Sequence, residues 1–181
     1  MDLLKIIIPV VSVIIGFGLG WLKEYIQHTP KVKLSLINSE SSFDMYKVVR
    51  DNIGGYSSIR DVDYSELTNM DFNINLLFYN SGKGDTAITD VTLKVTDGVN
   101  SLLLHNKKKA IETPIFFNLA ARSVHSVKFT NNLPYEENTK FAFNSELIDP
   151  VGKIKITVIS TDINGKQTCL NVDPLSIIRT K

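Results

Sequence analysis

Phe72–Val95 reads FNINLLFYNSGKGDTAITDVTLKV, and the period of this stretch decides the fold. Phe72, Ile74, Leu76 and Phe78 alternate with Asn73, Asn75, Leu77 and Tyr79. Residues two apart share one face of an extended strand, so the run has one apolar face and one wetter face. Asn80-Ser81-Gly82-Lys83-Gly84-Asp85 then interrupts it with residues that favour turns. The period resumes in Val91, Leu93 and Val95, which alternate with Thr92, Lys94 and Thr96. Ile88 and Val91 are out of step, which predicts a bulge or strand edge between them.

The same alternation recurs outward from this stretch. Val32, Leu34 and Leu36 carry it, as do Ile115, Phe117 and Leu119, Val127 and Phe129, Phe141 and Phe143, and Ile154, Ile156 and Val158. Val124 is out of step with Val127, predicting a second irregularity. Thr96–Asn100 reads as a turn, and Pro134 and Pro150 are expected in loops, where a missing N–H costs nothing. Asp162-Ile163-Asn164-Gly165-Lys166 gives the clearest hairpin signal, with an Asn-Gly pair tolerant of positive φ between Ile154–Ser160 and Gln167–Val172. About nine short strands without helical crossovers predict a mainly β domain over residues 31–181, an antiparallel sandwich of two facing sheets.

Residues 1–30 are a different kind of chain. Ile6–Leu22 reads IIIPVVSVIIGFGLGWL, carries no charge, and as a helix spans about 26 Å. That is close to the length a bilayer demands, with Lys5 placed to snorkel at one edge and Trp21, Lys23 and Tyr25 at the other interface. The segment lacks the small-residue cleavage site of a signal peptide and the polar stripe of a soluble helix, so it reads as a single-pass anchor closed by Pro30. Pro9 leaves two starts open, one near Asp2 with the proline inside the helix and one at Pro9 itself. Ser12, Gly16 and Gly20 recur every four residues and share one face, where two helix backbones could approach closely. Lys23, Lys31 and Lys33 follow the span, against Lys5 before it, and this bias points the β domain toward the cytoplasm.

Composition narrows the function. The 181 residues hold 20 Lys+Arg and 19 Asp+Glu, a net charge of +1 without the basic excess of a nucleic-acid binder. One cysteine excludes a disulfide framework and a Cys-based zinc site. His28, His105 and His125 share no metal-ligand spacing and read as surface residues, with His125 facing out from its strand. No Gly-rich phosphate loop occurs between a strand and a helix, and Cys169 has no neighbour in sequence that would activate it.

FNINLLFYNSGKGDTAITDVTLKV and FFNLAARSVHSVKFT (116–130) together resemble strand elements of bacterial immunoglobulin-like adhesion and accessory domains, over about forty residues. The resemblance implies an immunoglobulin-like module that binds or builds rather than catalyses. The Cys…Trp…Cys core of antibody domains is missing, and no functional residue carries over.

Two clusters remain. Asp61, Asp63 and Glu66 in RDVDYSE are candidate ligands for a hard cation, although no glycine follows where an EF-hand needs one and a solvated acidic loop explains them as well. Segment 39–70 is long for a connection, and Phe43–Val49 facing Tyr56–Arg60 predicts a small hairpin within it. Tyr46, Tyr56, Arg60 and Tyr64 are candidate partner-binding residues, because Tyr and Arg often anchor protein contacts, the alternative being that the tyrosines cap the end of the sandwich core. These observations together predict a membrane-anchored, non-enzymatic interaction or sensing subunit without a cofactor, whose partners are the bilayer, a protein or a second copy, and no nucleic acid. A membrane-disrupting or pore-forming effector and a metal-dependent enzyme are the alternatives.

Overall fold

In the computed structural model, residues 3–60, 69–96, 101–108, 111–134, 154–174 and 177 are described. Helix α1 (Leu3–His28) leads into β1 (Val32–Leu36), a 3-10 turn (Asn38–Glu40) and β2 (Ser42–Arg50). Then come β3 (Tyr56–Ile59), β4 (Asn69–Asn80), β5 (Thr86–Thr96), β6 (Ser101–His105), β7 (Lys107–Lys108), β8 (Ile111–Glu112) and β9 (Phe117–Leu119). Finally β10 (Val124–Pro134) precedes the hairpin of β11 (Lys155–Asp162) and β12 (Gln167–Val172). The protein is mainly β, and every described strand pairing is antiparallel.

Two five-stranded sheets follow one plan, each built on a long central strand. In the first, β4 takes β10 along one edge and β1 and β2 in tandem along the other, with β3 outside β2. In the second, β5 takes β11 and then β12 on one side, and β9 and β6 in tandem on the other. The small β7–β8 pair stands apart. Between β1 and β2 the chain steps off the ladder at the 3-10 turn. There the Asn75 backbone N–H donates to Ser41 Oγ at 3.0 Å instead of to a strand carbonyl.

The alternation read from the sequence is the burial pattern. Phe72, Ile74, Leu76 and Phe78 on β4 are buried, as are Val91, Leu93 and Val95 on β5 and Ile156 and Val158 on β11. These residues of both sheets join Phe129, Leu119 and Leu104 in a single core, and Phe78 meets Phe117 edge-on at 5.0 Å between the sheets. The expected irregularity near Ile88 is a bulge. Thr161 pairs with Asp90 but Asp162 with Ile88, so Thr89 is the extra residue, and its Oγ1 donates to the Thr161 carbonyl at 3.1 Å. Near Val124 the strand simply begins, with its first residue facing out.

Several expectations are corrected. Phe43 is 1% exposed and stacks on Phe72 at 5.1 Å, so the start of segment 39–70 belongs to the core and not to an insertion. Pro134 does not lie in a loop: it ends β10 opposite Asn69. The 162–166 turn has one positive-φ residue, Gly165 (φ 77°), rather than an Asn-Gly pair. Asp162 Oδ1 accepts the Asn164 and Lys166 N–H groups, both at 2.9 Å, which closes a three-residue loop ending in a left-handed glycine. Pro9 lies inside α1, which starts at Leu3. The turn at 97–100, Pro150, and the strand expected around Phe141 and Phe143 lie outside the described residues.

Candidate functional site

Three parts of the chain carry the candidate residues: α1, its junction with the sheets, and the β2–β3 hairpin. Ile7–Ile26 of α1 is long and apolar enough to cross a bilayer, and none of it is buried against the rest of the protein. A core helix of a soluble protein would be buried; a signal sequence would satisfy the same length and composition. Ser12, Gly16 and Gly20 lie along it with nothing packed on the glycines, and Ser12 Oγ donates to the Ile8 carbonyl at 2.8 Å. Trp21 and Tyr25 stack with centroids 6.0 Å apart, and Lys23 is exposed beside them. The side chain of Lys5 lies outside the described residues.

Only Thr29, Pro30 and Lys31 separate α1 from β1, and the loop after β4 holds them. The Asn80 side chain is fully buried. Its Oδ1 accepts the Lys31 and Gly82 N–H groups, each at 3.0 Å. Its Nδ2 donates to the carbonyls of Gly84 at 2.8 Å, Ala120 at 3.2 Å and Leu119 at 3.4 Å. Gly82 and Gly84 press on the same segment: a Cβ on Gly82 would run into Thr29, Pro30 and Lys31 backbone, and one on Gly84 into the His28 carbonyl. Ser81 N–H adds a bond to the Lys31 carbonyl at 2.9 Å. A stretch that reads in the sequence as a surface turn is thus the socket for the helix exit. No local pattern reveals this, because the partners are about fifty residues away in sequence.

The hairpin predicted within 39–70 exists, shifted toward its tip. Lys47–Arg50 pairs with Tyr56–Ile59, while Ser42–Tyr46 pairs with β4. Its turn repeats the 162–166 design. Asp51 Oδ1 accepts the Ile53 N–H at 3.1 Å and the Gly55 N–H at 2.6 Å, and Gly54 takes φ 87°. The hairpin is open: Ile53 in its turn is 95% exposed and Tyr56 at the start of β3 is 75% exposed, while Ile59, 42% exposed, pairs with Lys47 at the base. Arg60 is exposed just beyond it.

The structure separates the tyrosines proposed as one cluster. Tyr46 sits at the base of the hairpin, where its hydroxyl donates to Asp71 Oδ2 at 3.1 Å and accepts from Asn132 Nδ2 at 3.1 Å, and Asn132 also bonds Asp71 Oδ1. Burial first, then the Asp71 carboxylate beside it, raise the Tyr46 phenol above its ordinary range. Tyr46 therefore ties β2, β4 and β10 together, and Tyr56 is the tyrosine offered to solvent. Asp61, Asp63, Tyr64 and Glu66 lie outside the described residues.

Other polar side chains knit the body. Asn106 Oδ1 accepts the Thr130 N–H at 2.9 Å and its Nδ2 donates to the Thr113 carbonyl at 3.1 Å, strapping the end of β6 to β10. His125 does not face away from the core: it pairs with Phe78 and stacks on Phe117 at 4.3 Å, exposed only because it stands at the rim. Cys169 is exposed on edge strand β12. Among the described residues no three His, Cys, Asp or Glu side chains are grouped to hold a metal ion.

No protein-family model matches the chain, and no curated protein does. Solved structures similar to it include a Bordetella pertussis protein described as ApaA, at 10% identity and TM-score 0.35, covering 79% of this chain and 89% of that one. Another is the structural-genomics target SoR45, at 8% identity and TM-score 0.32, covering 81% of this chain and 84% of that one. At these scores neither likeness carries an argument about this chain.

Proposed function

We propose that this chain is a membrane-anchored, non-enzymatic interaction subunit, in which an immunoglobulin-like β-sandwich presents the β2–β3 hairpin to a protein partner. The observation that carries the reading is a pair of opposite apolar ends: an unburied helix of membrane-spanning length, and an exposed hairpin tip. The register gives their separation. Val32 pairs with Asn80 at one end of β4 and Tyr46 with Asn69 at the other, and β2 continues past that end into the hairpin. At a strand rise of ~3.3 Å per residue the tip stands about 50 Å from the helix exit. Ile53 and Tyr56 are thus held well clear of a bilayer, where a protein could cover them. The Ser12, Gly16 and Gly20 face of α1 is the assembly surface within the membrane, and the positive flank Lys23, Lys31 and Lys33 supports a cytoplasmic side for the sandwich.

Alkaline carbonate extraction of membranes from cells making the full chain tests the anchor; release of the intact chain into the soluble fraction refutes it. Affinity capture from detergent-solubilised membranes tests the hairpin. I53S/Y56A is expected to lose a co-purifying protein that the unsubstituted chain retains, and an unchanged partner set refutes the role of the tip. Replacing Gly16 and Gly20 with Leu is expected to abolish helix crosslinking in membranes, and unchanged crosslinking removes the assembly surface.

A further inference from the structure

We infer that the end of the β body around the helix exit is a docking surface for anionic phospholipid headgroups, an inference that rests on the anchor reading above. The strand register gathers three connections at this end. Loop 81–85 follows Asn80, the Ala120–Ser123 turn precedes Val124 opposite Tyr79, and turn 162–166 sits beside Ala87, whose carbonyl accepts the Ile163 N–H at 2.9 Å. Each brings an exposed cation: Lys83, Arg122 and Lys166, with Lys31 in the linker itself. Of the carboxylates in these connections, Asp162 is 7% exposed and spent on its own turn, and Asp85, which is exposed, accepts the Ala121 N–H at 2.7 Å and offsets one of the four cations. Ile163, 64% exposed, stands among the cations as an apolar tip.

Surface lysines alone would mean little, and it is the socket that gives these a partner. Three linker residues extend at most about 10 Å, and the packing of Gly84 against the His28 carbonyl leaves no slack in them. Lys31 lies in that linker and Lys83 in the loop packed against it, and the turns that bear Arg122 and Lys166 lie at the same end of the sheets, facing a leaflet whose field falls off over about 8 Å at physiological salt. At that range a negatively charged leaflet attracts Lys and Arg, and Ile163 is placed to enter the headgroup boundary. Lys107 and Lys108 do not share this position: the Lys107 carbonyl is held by Thr130, six residues along β10 from Val124.

The test is amide hydrogen exchange on the full chain in nanodiscs of phosphatidylcholine, with and without phosphatidylglycerol. Exchange in 81–85, 120–123 and 162–166 is expected to slow on the order of tenfold when phosphatidylglycerol is present, and the slowing to vanish at high salt. K83E/R122E/K166E is expected to remove it while the β11–β12 amides stay protected and the hairpin tip is unaffected. Equal exchange in both lipids, with the chain recovered in the discs, overturns the headgroup contact and leaves the anchor standing. Failure of the chain to enter the discs overturns both.

Discussion

Asn80→Ala is the substitution whose effect the structure fixes most tightly. The side chain is buried, and it touches the linker, the loop after β4 and the turn after β9 at once. Truncation removes two accepted and three donated bonds, leaving the buried Gly82 N–H and the Leu119 carbonyl to find new partners. Counting the three bonds of 3.0 Å or shorter at about 1 kcal/mol each, and one buried group left unsatisfied at about 1–3 kcal/mol, the expected loss is about 4–6 kcal/mol. Asn80→Asp separates the two halves of the network. Its carboxylate keeps the acceptor role toward Lys31 and Gly82 but turns a second oxygen onto the carbonyls of Gly84 and Ala120. Burial and those oxygens disfavour the charge, so the folded-state pKa rises above the unfolded value of about 3.9. The variant therefore binds its proton more tightly when folded. Its deficit relative to the unsubstituted chain is smallest below about pH 4 and grows as pH rises toward the folded-state pKa. Urea unfolding of the full chain in detergent micelles, followed by the circular dichroism of the β-sheet at matched pH values, measures both. A loss below about 1 kcal/mol for Asn80→Ala, or a pH-independent deficit for Asn80→Asp, would refute the socket.

Gly84→Ala should cost about 1–3 kcal/mol, because its Cβ meets the His28 carbonyl and neither backbone can move freely, whereas Gly18→Ala, with open space around it, leaves stability unchanged; the same urea titration compares them. Phe43→Ala is expected to lose about 3–5 kcal/mol and Ile53→Ala less than about 0.5 kcal/mol, and similar losses would contradict the division of segment 39–70 into core and tip. Tyr46→Phe should cost about 1 kcal/mol and remove from an ultraviolet titration one phenol held above its ordinary range. The raised Tyr46 pKa means that the neutral phenol is favoured in the fold, so this contribution is complete below the unfolded value of about 10 and disappears as pH climbs through the folded value. A Tyr46→Phe spectrum that keeps every phenolate step would remove that assignment.

The helix, the strand period and the turn chemistry were legible because each is local. Ile7–Ile26 is apolar over a length that needs no tertiary information to recognise. Phe72, Ile74, Leu76 and Phe78 announce their buried face by spacing alone, and the mismatch between Ile88 and Val91 announced the bulge at Thr89. Even the β2–β3 hairpin was visible, as Phe43–Val49 facing Tyr56–Arg60, although the pairing lies nearer its turn. What escaped the reading were residues whose role depends on a partner far along the chain. Phe43 looked like part of a polar insertion until β2 paired with β4 and set it on Phe72. Tyr46 and Tyr56 looked equivalent, ten residues apart, and only the pairing of β10 beside β4 turned one into a tie and left the other open.

The sequence by itself thus determined that a greasy helix precedes an antiparallel β body, since hydrophobic length and two-residue period act on neighbours and survive any later arrangement. Only the tertiary structure decided how the two are joined. Asn80 is an ordinary turn residue in sequence. It becomes the socket for Lys31 because the antiparallel register of β1 on β4 brings the end of one strand to the start of the other, where buried amides and carbonyls without a ladder partner need a side chain that both donates and accepts.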